Sequence, residues 1–295
     1  MEVLATFAET RAAVHGTTVL VPTMGSLHAG HRSLIERARG LGDTVVVSVY
    51  VNPLQFDDPD DLARYPRDLG ADLSAAQAAG ADMVFAPTDA EMYPALPQTR
   101  VVVEGVSERM EGLYRQGHFD GVATVVTKLF AGLRPDVAVF GRKDAQQLAV
   151  VRTLVRDLSL PVEIVSGPTV REPEGLAMSS RNAALTAADR TKAAAISRGL
   201  FLAAELVEAG ERDGLVLEHA VEGEMNAGGV KPEYVELADQ VTAERLSVLS
   251  RPAFLAVAAR VGGVRLIDNV AFDEVEHRFV ADRGIWAGSG TAIAT

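Results

Sequence analysis

Cysteine is absent from this 295-residue chain, which removes disulfides, thiolate metal sites and a cysteine nucleophile, and fits a reducing compartment. Cations are scarce beside anions, with 28 Lys and Arg against 40 Asp and Glu, a formal charge of -12. A surface of that sign repels polyanions, so no nucleic-acid partner is expected, although a cleft can still gather a few cations around a small anion. No apolar stretch approaches the roughly 20 residues of a membrane helix, so no membrane partner is expected either. Met1 to Val14 carries Glu2, Glu9 and Arg11 and no basic stretch leading into an apolar one. A secretory signal is therefore not expected, and a cytoplasmic location is. Three motifs are also missing: a Gly-x-x-x-x-Gly-Lys-Ser/Thr phosphate loop, a Gly-x-Gly-x-x-Gly after the first strand, and a Gly-x-Ser-x-Gly elbow. Any phosphate must be held by other groups.

What is present reads as a folded α/β chain. Short β-branched runs at Thr18 to Val21, Thr44 to Val51, Met83 to Ala86 and Val137 to Phe140 alternate with helical patterns at His31 to Arg39, Leu62 to Ala79, Val122 to Leu133 and Ala145 to Leu158. Strands separated by helices predict βαβ units: a Rossmann-like parallel sheet with helices on both faces, its ligands collecting at the carboxyl ends of the strands. Past Arg171 the texture changes. A Glu172-Pro173-Glu174-Gly175 turn precedes a long Ala-rich helix from Thr186 to Ala209, with Thr186 as its cap. Strands follow at Tyr234 to Leu237, Phe254 to Val261 and Val264 to Asn269, the last two joined by Gly262-Gly263 as a hairpin. The expected division is 1–171 for the nucleotide domain and 172–295 for a smaller α+β lid domain, with Trp286 to Thr295 as a loose tail.

The residues that carry chemistry lie where strands hand over to helices. Met24-Gly25-Ser26-Leu27-His28-Ala29-Gly30-His31 follows the first strand, and His28 and His31 share one face of a helix start. The glycines admit close backbone approach, the helix N-terminus attracts phosphate, and two imidazoles add donors. The bland alternative is a turn with two surface histidines; zinc would want a third ligand at a telling spacing, which is not evident. Asn52-Pro53-Leu54-Gln55-Phe56 brings neutral amides to the same sheet edge, or is simply a polar turn. Gly141-Arg142-Lys143-Asp144 leads into Gln147: Lys143 is the candidate phosphate cation and Asp144 a candidate cap, unless the run is solvated surface. Met178-Ser179-Ser180-Arg181 offers hydroxyls and a guanidinium on a segment suited to fold over a triphosphate, or is an ordinary Ser-rich loop.

These four blocks, in this order and spacing, resemble the pantothenate synthetase family from about Val19 to Asn269. Gly117-His118-Phe119-Asp120-Gly121 and Arg265-Leu266-Ile267-Asp268-Asn269 add partial support. His-x-Gly-His alone is shared with the wider nucleotidyltransferase group, whereas Asn-Pro-Leu-Gln-Phe and Lys-Asp-x-Gln-Gln are far narrower. The resemblance implies an ATP-dependent ligase, commonly a homodimer, that activates pantoate as an adenylate with Mg2+ on the phosphates and then passes the acyl group to β-alanine. It implies catalytic roles for His28, His31, Lys143, Ser179 and Ser180, with His31 the proton donor. Met24 to His31, Gly141 to Asp144, Val170 and Met178 to Arg181 would hold ATP. Gln55 and Gln147 would hold pantoate, Gln55 also β-alanine, with Asn52, Tyr65 and Arg115 nearby and Asp72 toward the metal. Two positions depart from the pattern: Ala29 and Arg142 stand where the family often has Glu. The rivals are a nucleotidyltransferase adenylylating another small acid or phosphate ester, which would want more Arg in its anion pocket, and a catalytically silent nucleotide sensor, against which the intact polar blocks speak. A tRNA synthetase would want a basic face and an anticodon domain.

Overall fold

The alternation of apolar runs and helical segments resolves, in a computed structural model describing residues 1–288, into two units. One is Met1–Gly141 with Val150–Gly167; the other is Arg142–Ala149 with the chain from Pro168 onward. A single division after Arg171 is therefore not what the contacts give. Arg171 is itself fully buried in the second unit, paired with Asp268, and Arg142–Ala149 goes with that unit too.

The first unit runs β1 (Glu2–Leu4), α1 (Phe7–Ala13), β2 (Thr18–Thr23), α2 (Ala29–Arg39), β3 (Thr44–Val49), α3 (Pro59–Arg64), α4 (Leu69–Ala78), β4 (Met83–Phe85), α5 (Asp89–Met92), α6 (Glu111–Tyr114), α7 (His118–Leu133), β5 (Val137–Gly141), α8 (Ala145–Asp157) and β6 (Glu163–Gly167), α8 beginning in the second unit. Its strands pair in parallel in the order β1-β4-β3-β2-β5-β6. Parallel strands are covered on both faces, which is why Val19 to Val21 and Val45 to Val47 read as unbroken apolar runs and are buried. Alternate side chains show the two coverings. Val84 and Val139 join a cluster with Leu34, Ile35, Ala38 and Ala76 of α2 and α4, whereas Phe85 meets Phe7 of α1 and Phe140 meets Phe130 of α7. The chain leaves β2 on one side through β3 and β4 and returns on the other side as β5, so the order reverses between β2 and β5. In such sheets ligands bind at the carboxyl ends beside the reversal. β2 ends at Thr23, just before Met24 to His31, and β5 ends at Gly141, just before Arg142 to Asp144.

Several expectations shift. The single helix expected over Leu62 to Ala79 is two, α3 and α4, because Pro66 has no N–H to continue a helix, and Asp68 caps a new one by accepting from Ala71 N at 2.9 Å. α7 starts at His118, earlier than Val122, after Gly117 in the left-handed region. The short elements β1, α1 and β6 carried too few residues to show a period.

The second unit adds β7 (Val170–Arg171), α9 (Ala187–Glu208), α10 (Gly214–Ala227), β8 (Pro232–Asp239), β9 (Ala253–Val261), β10 (Val264–Val275), β11 (Arg278–Asp282) and β12 (Ile285–Trp286). β11-β10-β9-β8 form an antiparallel sheet. Its core gathers Ile196, Leu200, Leu217 and Val221 of the helices against Leu237, Leu255, Val257 and Phe272 of the strands. Gly262 and Gly263 both take positive φ, 57° and 80°, which is what a tight hairpin with the right twist requires. Thr186 caps α9 through Asp189 N at 3.1 Å, as expected. Trp286, expected in a loose tail, lies in β12 and pairs in parallel with β7; the rest of that tail beyond Gly288 is outside the described residues.

Candidate active site

The loop between β2 and α2 is shaped from beneath by a carboxylate. Thr23 Oγ1 donates to Ser48 O at 2.7 Å and accepts from Gly25 N at 3.2 Å, turning the chain out of the sheet. Gly25 has a φ of 80°, and a Cβ there would lie 2.7 Å from Asp72 Oδ2, so only glycine fits. Ser26 is also left-handed, at a φ of 53°. This backbone aims Ser26 N and Leu27 N at the Asp72 carboxylate of α4, at 3.1 and 2.7 Å. Asp72 is buried, and both its oxygens serve the main chain. Beside this loop opens a cavity of about 410 Å3, within the range of small-molecule pockets, lined among others by Met24, Tyr50, Pro53, Asp72 and Asp89.

The start of α2 explains the histidine pair. His28 Nδ1 accepts from Gly30 N at 3.1 Å, and His28 N donates to His31 Nδ1 at 3.4 Å. The two imidazoles thus fill both roles of a capping box, usually taken by Ser or Thr and Glu. A ring nitrogen that accepts carries no proton, so in each neutral ring the proton sits on Nε2. The ring centroids are 4.1 Å apart, which sets the two imidazoles side by side at a helix N-terminus, where the helix dipole favours an anion. Gly30 is required for this: a Cβ there would stand 2.8 Å from His28 Cε1.

A second platform follows β3. Asn52 Nδ2 donates to Gln55 Oε1 at 3.0 Å and to Gly121 O at 3.1 Å, while its Oδ1 accepts from Tyr93 OH at 2.8 Å and from Leu54 N at 3.4 Å. Burial pushes the Tyr93 hydroxyl up to about 12, so it stays a donor across the neutral range. Gln55 Nε2 donates to the Met24 thioether at 3.0 Å, a weak acceptor. The backbone of Gln55 is gripped in turn: its carbonyl accepts from His118 Nδ1 at 2.7 Å and from Arg115 Nη2 at 3.2 Å. His118 therefore carries its proton on Nδ1, and its Nε2 faces Arg115 Nη1 at 3.3 Å. Arg115 also pairs with Asp57 at 3.1 Å. Gly121 lets α7 approach this turn, since a Cβ there would lie 2.2 Å from Leu54 O. Tyr65 is buried edge-on against Phe56, with ring centroids 5.6 Å apart.

In the second unit, Arg142–Asp144 forms a single 3-10 turn entering α8, with Gln147 in the first helical turn. Lys143 Nζ stands 3.7 Å from Asp144 Oδ1. The side chain of Arg142 turns to β10 and β11, where Nη1 donates to Asp273 Oδ2 at 2.6 Å and Asp282 Oδ2 at 3.0 Å. Burial alone would lower the guanidinium, but the hydrogen bond to Asp273 and the charges of both carboxylates outweigh it and hold it above its ordinary value. The serine segment hangs on β7: Met178 N donates to Val170 O at 2.8 Å, and Ser179 Oγ accepts from Arg181 N at 3.3 Å to open a 3-10 turn over Ser180–Ala184. Asn182 Nδ2 ties that turn to Glu172 Oε1 at 2.8 Å and Ala177 O at 3.0 Å.

Residues 2–271 match the family model described as pantoate-beta-alanine ligase. The chain belongs to that family. It is similar to a pantothenate synthetase of Acidothermus cellulolyticus, 53% identical over 88% of this chain and 87% of the relative. Its fold is similar to the crystal structure of the pantothenate synthetase of Thermus thermophilus, with a TM-score of 0.87 and 46% identity over 91% of this chain and 98% of that one. It is similar also to the pantoate-beta-alanine ligase of Francisella tularensis complexed with beta-gamma ATP and beta-alanine, with a TM-score of 0.75 and 32% identity over 91% of this chain and 97% of that one.

Within the first unit the structure brings Met24 to His31 together with Asn52, Gln55 and Asp72, and Arg115 with the Gln55 backbone. Within the second it places Lys143, Asp144 and Gln147 on one turn and Val170 and Met178 to Arg181 on one short hairpin. Sequence reasoning assigned no role to Tyr93, or to His118, Gly121 and Asn269 beyond their place in matching blocks. The signal available was a pair of polar residues, Asp268-Asn269, in the middle of an apolar strand.

Proposed function

We infer that the chain condenses pantoate with β-alanine, consuming ATP and releasing AMP and pyrophosphate through a pantoyl adenylate. A pantoate carboxylate oxygen bonds to the α-phosphorus, the bond from that phosphorus to its bridging oxygen breaks, and pyrophosphate leaves. The β-alanine nitrogen then bonds to the acyl carbon, the bond to AMP breaks, and the nitrogen loses a proton. Both reactants of the first step are anions, so the site must above all supply positive charge and N–H donors in fixed positions. His28 and His31 offer Nε2–H to phosphate oxygens, the partial positive charge at the N-terminus of α2 adds to them, and Lys143 follows charge onto the leaving pyrophosphate. Ser179 and Ser180 donate to phosphate, and Arg181, Val170, Gly141 and Asp144 complete the nucleotide's surroundings. The Gln55 amide exchanges its thioether partner for pantoate, helped by Gln147, while Asn52, Tyr65 and Arg115 keep Gln55 in place. Asp72 we assign to the loop, and the Arg142 side chain to its carboxylates, which leaves its main chain at the nucleotide.

Magnesium enters with the nucleotide as part of the substrate. Among the described residues no group of three or more His, Asp or Glu stands ready to hold a metal, and Asp72 is occupied by amides. Mg2+ fits such a site because it keeps several waters and relies on substrate phosphates with few protein ligands. We also infer a homodimer working in the cytoplasm; light scattering on the purified chain gives its mass in solution.

The observation that carries this reading is the imidazole capping box on α2. Its test is an assay with ATP, magnesium, pantoate and β-alanine. AMP release should require both organic substrates, and exchange of labelled pyrophosphate into ATP should require pantoate alone. Exchange without pantoate, or AMP release without β-alanine at the full rate, would overturn it.

A further inference from the structure

β10 carries two adjacent polar residues, both buried, in a strand otherwise built largely of apolar side chains at its centre, and the reaction uses neither directly. Their contacts lead to two different segments. Asn269 Nδ2 donates to Arg142 O at 3.0 Å and to Lys143 O at 2.7 Å, so its two amide hydrogens hold consecutive carbonyls of the Lys143 turn. Asp268 Oδ2 accepts from Arg171 Nη1 at 2.7 Å, and that guanidinium, wholly buried over the Phe201 ring, also donates to Gly175 O, Asn269 O and Arg283 O. Gly175 closes the turn of the hairpin that carries Met178 to Ser180. Asp268 Oδ1 accepts from Asn269 N at 2.7 Å, which locks the two residues to each other.

Resting on the reading of Lys143 and of Ser179 and Ser180 given above, we propose that Asp268 and Asn269 are positioning residues: one strand position fixes the lysine turn and its neighbour fixes the serine hairpin, so that both are held in a constant relation by β10. The grip is on the lysine's main chain, and the ammonium sits beyond it at the end of a flexible stem. Such an ammonium works on the transition state only if its backbone is fixed, and misplacement by about an ångström from a change remote from the chemistry costs on the order of a hundredfold. The role is confined to the half-reaction in which pyrophosphate leaves. Aminolysis of the finished adenylate involves no β- or γ-phosphate.

The test is a double-mutant cycle between Asn269→Ala and Lys143→Ala, read on two half-reactions with full-length protein: pantoate-dependent pyrophosphate exchange, and aminolysis of supplied pantoyl adenylate by β-alanine. Asn269→Ala should slow exchange roughly ten- to a hundredfold, leave aminolysis within about threefold, and add nothing once Lys143 is Ala. Additive losses, or equal losses in both half-reactions from folded protein, would refute the positioning role. A Lys143→Ala enzyme with normal exchange would instead refute the function assigned to Lys143, leaving the two failures distinct. Should Asn269→Ala not fold, Asp273→Asn loosens the same turn through the partly exposed Arg142 pair, and it must show the same preference for exchange in the same cycle; slowing of aminolysis alone would refute the proposal.

Discussion

The imidazole cap lets stability and chemistry be separated at one residue. His28 Nδ1 accepts from Gly30 N at 3.1 Å, and in the function proposed above its Nε2 carries the proton offered to phosphate, one occupation for each ring nitrogen. In His28→Ala both go. Loss of an N-cap acceptor costs about 0.5–2 kcal/mol, and loss of one preorganised donor to a transition state about 2.7–4 kcal/mol, a factor of 10² to 10³ in rate. In His28→Asn the side-chain oxygen is among the best N-cap acceptors, so most of the stability should return, while nothing reaches as far as Nε2 did. Urea unfolding followed by circular dichroism and pantoate-dependent pyrophosphate exchange, run on the same three proteins, give the two readings. His28→Asn should match the parent in unfolding midpoint to within a few tenths of a kcal/mol and remain at least about a hundredfold slow in exchange. Recovery of both in the Asn variant would mean that the ring is only a cap, and the donor argument would be wrong.

Other outcomes follow from the same geometry. Asp72→Asn replaces an acceptor of a main-chain N–H with an amide that must turn one NH2 toward a donor, so it should destabilise by about 1–3 kcal/mol and weaken ATP binding; unchanged ATP affinity measured by calorimetry would count against the loop's dependence on Asp72. Gly121→Ala drives a Cβ to 2.2 Å from Leu54 O and should cost about 1–3 kcal/mol while raising the KM for pantoate more than that for ATP, as steady-state kinetics would register. Asp239 in the second unit is buried, which would raise its carboxyl, but the N–H groups of Val241 and Thr242 and the Arg251 guanidinium outweigh this and hold it below the usual range. A lowered folded value means its stabilisation is full above the unfolded value near 4 and is lost as pH falls through the depressed folded one. Asp239→Asn should therefore flatten that part of the stability-pH curve, and an unchanged slope in acid unfolding would contradict the assignment.

The sequence showed the sheet well where burial on both faces made runs of valine, as at Val45 to Val47, and showed α9 through its Thr186 cap. It showed poorly what depends on few residues: β1, β6 and the break at Pro66, where one missing N–H overrides a helical pattern on either side. At the site, the His28 and His31 spacing announced a shared helix face, and Asn52 with Gln55 a polar edge. The partners that give these residues their geometry lie far along the chain. Asp72 is 46 residues from Ser26, and Asp273 is 131 from Arg142, so neither contact has a local pattern to announce it. Arg142 shows the difference most clearly. In the sequence it stands where the family often has Glu; in the structure it is a cation paired with two aspartates, Asp273 and Asp282.

The way the chain visits its two units has a practical result for dissection. It crosses after Gly141, again after Ala149 and a third time after Gly167, so no single cut yields both parts whole. A fragment ending at Gly167 would keep the lysine turn but lose β10, leaving the carbonyls of Arg142 and Lys143 to water and the turn to fray. A fragment beginning at Pro168 would keep Asn269 with nothing to grasp. Supplying the missing Arg142–Ala149 peptide in trans, or grafting it by a short linker, is what a stable isolated second unit would require.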